Sequence, residues 1–324
     1  MEGYSLAPLG ISDGAPAVGR VSLANESAFA SSFFNQPLTD YAVGYKTEAG
    51  KVEAILDFLA PKIQTSRRFQ YRVANNAASF SAVADGEDVR AIGGEFKTVE
   101  ARGDIVDSHT VSKGLTTVVD RDELEENPNL LEQKVAWLKL LLLRGDTIRA
   151  FSIVNAGATN AAKTWSAAAG TPDMDLLEAL DAGGDSMGFN PNRILFGSTA
   201  WQKRLLCLGE KNTASGKAGY AMTPSDLADF LAIDDILISR ERYQTGSSKS
   251  RITTSNVVLL FSAFQNASNE DASNAKLFWS PTMGGGEYAV FKDESSAENI
   301  KLTVMHKSQI VLANTLGIRK LTIS

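Results

Sequence analysis

The chain has 324 residues, 44% of them hydrophobic and 22% charged, with a net charge of −6. That length holds two domains, or one with large excursions, and the acidic balance argues against a dedicated nucleic-acid binder, which carries a basic stripe. One cysteine, Cys207, excludes an internal disulfide framework and a cysteine-based zinc site; two histidines, His109 and His306, leave little for a histidine-rich one.

The N-terminus, MEGYSLAPLG, has neither a basic region nor an apolar core, so a secretion signal is not expected and synthesis is expected to leave the chain in the cytoplasm. Residues 1–45 mix Gly, Ala, Ser and Asn with scattered apolar residues and show no sustained period. Such a stretch lacks the continuous apolar surface for a core of its own, so it reads as an extended arm lying on a partner subunit. The alternative is an arm packed on its own domain. Residues 46–59 form an amphipathic helix with Val52, Ile55, Leu56 and Leu59 on one side, and Pro61 ends it.

From about 65 to 119 the pattern becomes strand-like, with turn signals at 84–88 and at Gly93-Gly94. This flap is rich in charge, including Arg67, Arg68, Arg72, Asp85, Glu87, Arg90, Glu95 and Lys97. A strand over 106–119 leads into the acidic cluster Asp120, Asp122, Glu123, Glu125 and Glu126. Consecutive carboxylates point around a helical turn rather than at one metal ion, and acids near a helix start complement its dipole.

The dominant element is one long helix over 129–155, with Asn129 as N-cap and Glu132 placed for a capping box. Such a helix spans about 40 Å. Leu130, Leu131, Val135, Trp137, Leu138, Leu141, Leu142 and Ile148 cover one broad face, while Leu140, Leu143, Phe151 and Val154 fall outside it. A helix apolar over most of its circumference is sandwiched between layers. Its apolar run is far shorter than the ~20 residues a bilayer needs, and Lys134, Arg144, Asp146 and Arg149 would lie too deep.

Residues 155–170 read as a linker or loop, followed by an α/β pattern. Helix is predicted over 175–185 and 198–208, a mobile Gly/Lys loop over 209–220, and a helix opened by Thr223 and Pro224. Strands are predicted over 193–196, 235–239, 256–261, 276–279, 300–304, 310–312 and 318–323, with a turn at 284–286.

No catalytic motif survives inspection. Six residues separate Gly209 from Gly216 where a phosphate loop needs four, and Ala218 replaces its Ser/Thr. Ser198 lacks the nucleophile-elbow frame. His306 directly follows an alternating strand and reads as a satisfied structural residue; Cys207 reads as a small buried hydrophobe. No catalytic, cofactor-binding or metal-binding residue is therefore assigned.

The order of parts resembles the major capsid proteins of tailed bacteriophages, the Hong Kong 97-type fold, over nearly the whole chain. The resemblance rests on short segments in sequence. Leu59-Ala60-Pro61-Lys62-Ile63 is similar to the end of the family's arm, and 90–96 to the far side of its extended loop. Residues 114–122 resemble the approach to its spine helix, and Arg144-Gly145-Asp146 stands near the end of that helix. Trp165 fits the loop beyond; 190–197, 223–230 and 235–239 resemble the strand and the helix–strand step that follow.

The resemblance implies an α+β fold with an N-terminal arm (1–64), an extended loop (65–105), a peripheral domain with the spine helix (106–165 and 296–324) and an α/β axial domain (166–295). It implies a non-enzymatic shell subunit that forms pentamers and hexamers around double-stranded DNA without sequence readout. It also implies scaffolding, portal and decoration partners, no membrane, and a place in the virion after assembly in the host cytoplasm. The flap charges Arg67, Arg68, Arg72, Asp85, Glu87, Arg90, Glu95 and Lys97 become candidates for contacts between subunits. Some relatives join a loop lysine to a neighbour's asparagine; Lys97 could stand in, but no acid catalyst is identifiable and such linkage is not expected. The alternatives are the shell of an encapsulated-enzyme compartment and a cytoplasmic α/β enzyme or small-molecule-binding protein.

Overall fold

The computed structural model describes residues 33–46, 49–73, 89–90, 92, 94–95, 104–167, 170–211, 213–265, 268 and 271–324. The N-terminal half holds α1 (Gln36–Gly44), α2 (Ala49–Leu59), β1 (Lys62–Gln64), β2 (Arg68–Arg72), β3 (Ile105–His109), β4 (Val111–Asp120), α3 (Arg121–Glu126), α4 (Leu130–Gly157) and β5 (Thr159–Lys163). An α/β stretch follows: α5 (Pro172–Met187), β6 (Arg193–Gly197), α6 (Ser198–Glu210), α7 (Ala214–Ala221), α8 (Pro224–Leu231) and β7 (Asp235–Ser239). The remainder is β8 (Arg242–Thr245), β9 (Ser248–Arg251), β10 (Val257–Phe261), β11 (Ala275–Trp279), β12 (Tyr288–Asp293), β13 (Asn299–Leu312) and β14 (Arg319–Ile323).

Two five-stranded sheets organise these elements. The first runs β1-β11-β13-β12, and β4 pairs along β13 as well; the second runs β5-β14-β10-β6-β7. In β13 residues 300, 302, 304, 306, 308 and 310 turn inward, the period-2 pattern of a sheet with one buried face. In β6 and β10 every residue is buried, as in a strand covered on both faces. Ile194, Phe196, Val258 and Leu260 face the core shared with α5, α6 and α8, while Leu195, Leu259 and Phe261 face the core of α2 and α4.

That second core is the larger one and explains the long helix. α4 is covered by the arm helices on one side and by the first sheet on the other, so Val135, Leu138, Leu140, Leu142, Leu143, Phe151 and Val154 are all buried. The one-face wheel is thereby corrected. Leu140, Leu143, Phe151 and Val154 are core, Trp137 is half exposed, and Lys139 is buried. Asn129 makes no side-chain cap; the Asn127 side chain instead accepts from the Asn129 N–H at 3.2 Å.

The arm differs most from expectation. Residues 1–32 of it lie outside the described residues; in the remainder, Leu38, Ala42, Val52, Leu56 and Leu59 pack on their own chain. α1 escaped sequence reading because QPLTDYAVG is short and polar at alternate turns. Its start is nevertheless well formed, since the Asn35 side chain accepts from the Leu38 N–H at 3.0 Å. α2 starts at Ala49 rather than at 46.

Other corrections have equally local causes. Residues 159–163 are a strand, not a loop, because β14 supplies a parallel partner that TNAAK does not advertise. Residues 214–221 are a helix, capped by Thr213, whose hydroxyl accepts from the Gly216 N–H at 3.1 Å. The strand predicted over 106–119 breaks at Thr110 into β3 and β4, and 300–312 is one strand. β8, β9 and β12 had no sequence signal strong enough to read. Thr223 and Asp226 form the capping box that opens α8, and Gly284 and Gly285 take φ of 90° and 80° in the predicted turn.

Leu138 is 2% exposed at the centre of this sandwich. Leu138→Ala is expected to lower unfolding free energy by about 2–5 kcal/mol, read as a lower urea midpoint with an unchanged m-value.

Candidate functional site

Three arrangements set what this molecule can offer a partner. The first is the seat of the arm. Neither α1 nor α2 has a basic residue in its last turn, so the negative end of each dipole needs a cation from elsewhere. Lys139 of α4 donates to the carbonyl oxygens of Ala42 and Tyr45 at 2.6 and 2.9 Å, closing α1. Arg193 of β6 donates to the carbonyls of Phe58 and Asp57 at 2.9 and 3.3 Å, closing α2, and its guanidinium lies over the Phe58 ring at 5.1 Å. Burial pushes the Lys139 ammonium down, while Glu53 and Glu287 hold it up.

A lysine strengthens the seat. The Lys62 ammonium lies 2.6 Å from Glu53, 3.3 Å from Glu287 and 3.7 Å from Asp57. Burial would lower Lys62, but Glu287, Asp57 and Glu53 raise it above the usual lysine range. Burial raises the Glu287 carboxyl against the pull of Lys62.

The second arrangement ties α4 to the first sheet. Buried Asp146 accepts from Lys113 of β4 at 2.8 Å, from Arg149 Nε at 3.1 Å and from Ser308 of β13 at 3.3 Å. Burial alone would raise this carboxyl; His306 when protonated, with Lys113 and Arg149, holds it below the usual range. His306 lies within the same group, stacked on Tyr288 with centroids 5.3 Å apart. It is structural, as its position in the sequence suggested, but not satisfied: neither ring nitrogen has a hydrogen bond, and Nε2 stands 3.4 Å from Asp146. Burial pushes its imidazole down to about 4.

The third arrangement is the ribbon of β2 and β3. Phe69 stacks on Phe278 at 4.2 Å and, with Tyr71, Ile63 and Val311, glues one face of the ribbon to the first sheet. Arg68, Gln70 and Arg72 alternate onto the other face, where Gln70 donates to Asp107 at 2.8 Å. A groove of about 940 Å³ runs along it, bordered by Arg68, Arg72, Ile105 and His109.

Of the eight candidate contact residues, Arg68 and Arg72 lie on this ribbon and Arg67 at its base, where its carbonyl accepts from the Thr110 N–H at 2.9 Å. Arg90 and Glu95 are exposed and outside any helix or strand; Asp85, Glu87 and Lys97 fall outside the described residues. Sequence reading missed Lys139, Lys62, Arg193 and Asp146. The available signal was a charged residue inside an apolar run, as at Lys139 and Asp146. Among the described residues no group of His, Cys, Asp and Glu is placed to hold a metal, and no helix is long and apolar enough to cross a membrane. Cys207 is buried as expected, its thiol donating to the Ser166 carbonyl at 3.2 Å.

No family model matches the sequence, and no curated protein does either. Solved structures do match. A phage-related protein from Bordetella bronchiseptica RB50 is similar with a TM-score of 0.64 at 15% identity, over 90% of this chain and 97% of that one. A protein assigned as a prophage capsid protein of Escherichia coli CFT073 is similar with a TM-score of 0.54 at 9% identity, over 90% and 99%. The chain has the phage capsid protein fold, a mixed helix and strand architecture.

Two outcomes follow from these geometries. Lys139→Met keeps most of the stem but leaves the Ala42 and Tyr45 carbonyls without their donor, and is expected to cost about 1–3 kcal/mol in urea unfolding. His306 is neutral in the folded chain, whereas an unfolded histidine titrates near 6.5. The unfolded state therefore binds the extra proton between pH 6.5 and 4. Stability from this group is complete above pH 6.5 and falls by about 3 kcal/mol toward pH 4. His306→Phe is expected to flatten that part of the stability–pH curve.

Proposed function

We propose that the chain is a major capsid subunit with the Hong Kong 97-type layout, assembling as pentamers and hexamers into the head shell around phage double-stranded DNA. The observation that carries this reading is the likeness of fold over nearly the full length of both chains. The described part of the arm, 36–46 and 49–64, is seated on its own body; residues 1–32 lie outside the described residues, so the arm carries no weight in this reading.

In this layout α4 is the spine helix. The first sheet forms the peripheral part, and the second sheet with α5 to α8 forms the axial part. Drawn by strand pairing, the division moves β11 and β12 to the peripheral side and β5 and β14 to the axial side of the sequence ranges first expected. The ribbon is the base of the extended loop. Arg67, Arg68, Arg72, Arg90 and Glu95, with Asp85, Glu87 and Lys97, meet neighbouring copies. Charged contacts of this kind set register and reject wrong partners more than they add affinity, and many weak interfaces sum to a stable shell. Packaged DNA needs no sequence readout, since binding to phosphates is sequence-independent. The subunit is made in host cytoplasm and resides in the virion, with scaffolding, portal and decoration proteins as further partners. No catalytic role is proposed.

Expressed alone or with a scaffolding protein, the chain is expected to form closed particles in electron micrographs and by light scattering; a lasting monomer or dimer refutes the reading. Nuclease-protected DNA in particles from infected cells separates a phage head from an enzyme compartment. Arg68→Glu is expected to reduce particle yield while leaving subunit unfolding within about 0.5 kcal/mol of wild type.

A further inference from the structure

β4 begins at Val111, opposite Ser308, so β13 runs on past its start to Leu312. In this notch, beneath α4, a slot of about 300 Å³ opens between Val111, Lys113, Arg149, Ser152, Ile153 and Ile310. Its floor is apolar and its rim is cationic. Lys113 and Arg149 both lean on the single carboxylate of Asp146, and His306 beside it is neutral. Among the described residues the rim therefore has one positive charge more than is balanced by its ion pairs.

We propose that this slot receives a glutamate from α3 of a second copy of the chain. The inference rests on the shell reading and names one of its contacts. α3 carries Asp122, Glu123, Glu125 and Glu126, all exposed, and no ion pair among the described residues involves them. The two complementary surfaces stand at opposite ends of β4, which is ten residues long, so about 30 Å separates them. They cannot meet within one molecule. A contact between different patches of two copies is heterologous, and repeated it closes rings or extends arrays rather than stopping at a pair. A glutamate fits chemically: its carboxylate meets Lys113 and Arg149, and its two methylenes lie on Val111, Ile153 and Ile310. Duplex DNA presents phosphates on a stiff polar rod that has no apolar part to seat on that floor.

The test fills the slot from within. Ser152 is exposed, lines the slot and lies one turn beyond Arg149, so Ser152→Glu supplies the missing carboxylate in cis. Particle yield by light scattering is expected to fall about tenfold, as the loss of a matched charge contact would give. Subunit melting temperature is expected to hold or rise, and Ser152→Gln to assemble as wild type. Replacing Glu123, Glu125 and Glu126 together by Gln is expected to give the same assembly defect. Wild-type particle yield from Ser152→Glu overturns the proposal and leaves the shell reading intact. Failure of every version, wild type included, to assemble overturns both. A rise in subunit melting temperature with inorganic phosphate, abolished in Ser152→Glu while assembly is untouched, assigns the slot to free phosphate and also overturns it.

Discussion

Two buried cations decide the shape of this molecule. Lys139 and Arg193 stand on the body, and each closes the carbonyl end of an arm helix that has no basic residue in its own last turn. Burying such a cation is costly unless its hydrogen bonds are met, and carbonyls at a helix end meet them while the dipole favours the charge. Arm and body thus complete each other: without the arm, two cations would be stranded, and without the cations, the last turns of α1 and α2 would be open. Lys62, held among Glu53, Asp57 and Glu287, adds a further tie along the same seam.

The long helix is the other half of that relation. With the arm on one flank and the first sheet on the other, α4 keeps only a narrow solvent stripe through Gln133, Trp137, Arg149 and Ser152, which leaves its rotation and register poorly defined by hydrophobicity alone. Polar ties supply the definition. Lys139 reaches the end of α1, and Asp146, farther along the same face, meets Lys113 and Ser308 of the first sheet. The two groups lie seven residues apart, two turns of helix, so the helix is pinned at two heights. A buried network of this kind adds little net stability but rejects alternative registers.

On the proposed shell reading, the consequence is a clear split between what is finished and what is left open. The arm seat, the two sheets and the helix sandwich close within one chain. The ribbon is glued down on its aromatic face only, and its other face holds Arg68 and Arg72. Among the described residues, the notch at the start of β4 carries unbalanced positive charge, and α3 at its end carries unpaired negative charge. The two ends of β4 are thus of opposite charge, which is what the proposed head-to-tail contact between copies draws on.

Sequence by itself determined the elements that are set by local chemistry. Thr223-Pro224 starts a helix because cap and proline act within one turn, and 300–304 alternates because one face of a strand is buried. The length of α4 and its place between two layers were equally legible, as was the α/β order of the second half. The tertiary structure alone decided where the arm lies, that TNAAK is a strand, and that a lysine belongs in the core. Each depends on a group distant in the chain: Ala42 and Tyr45 for Lys139, β14 for residues 159–163, the flank of α4 for Leu38 and Leu56. Local patterning reports what a residue prefers, whereas a buried charge or a pattern-free strand is stabilised by the partner that folding brings to it.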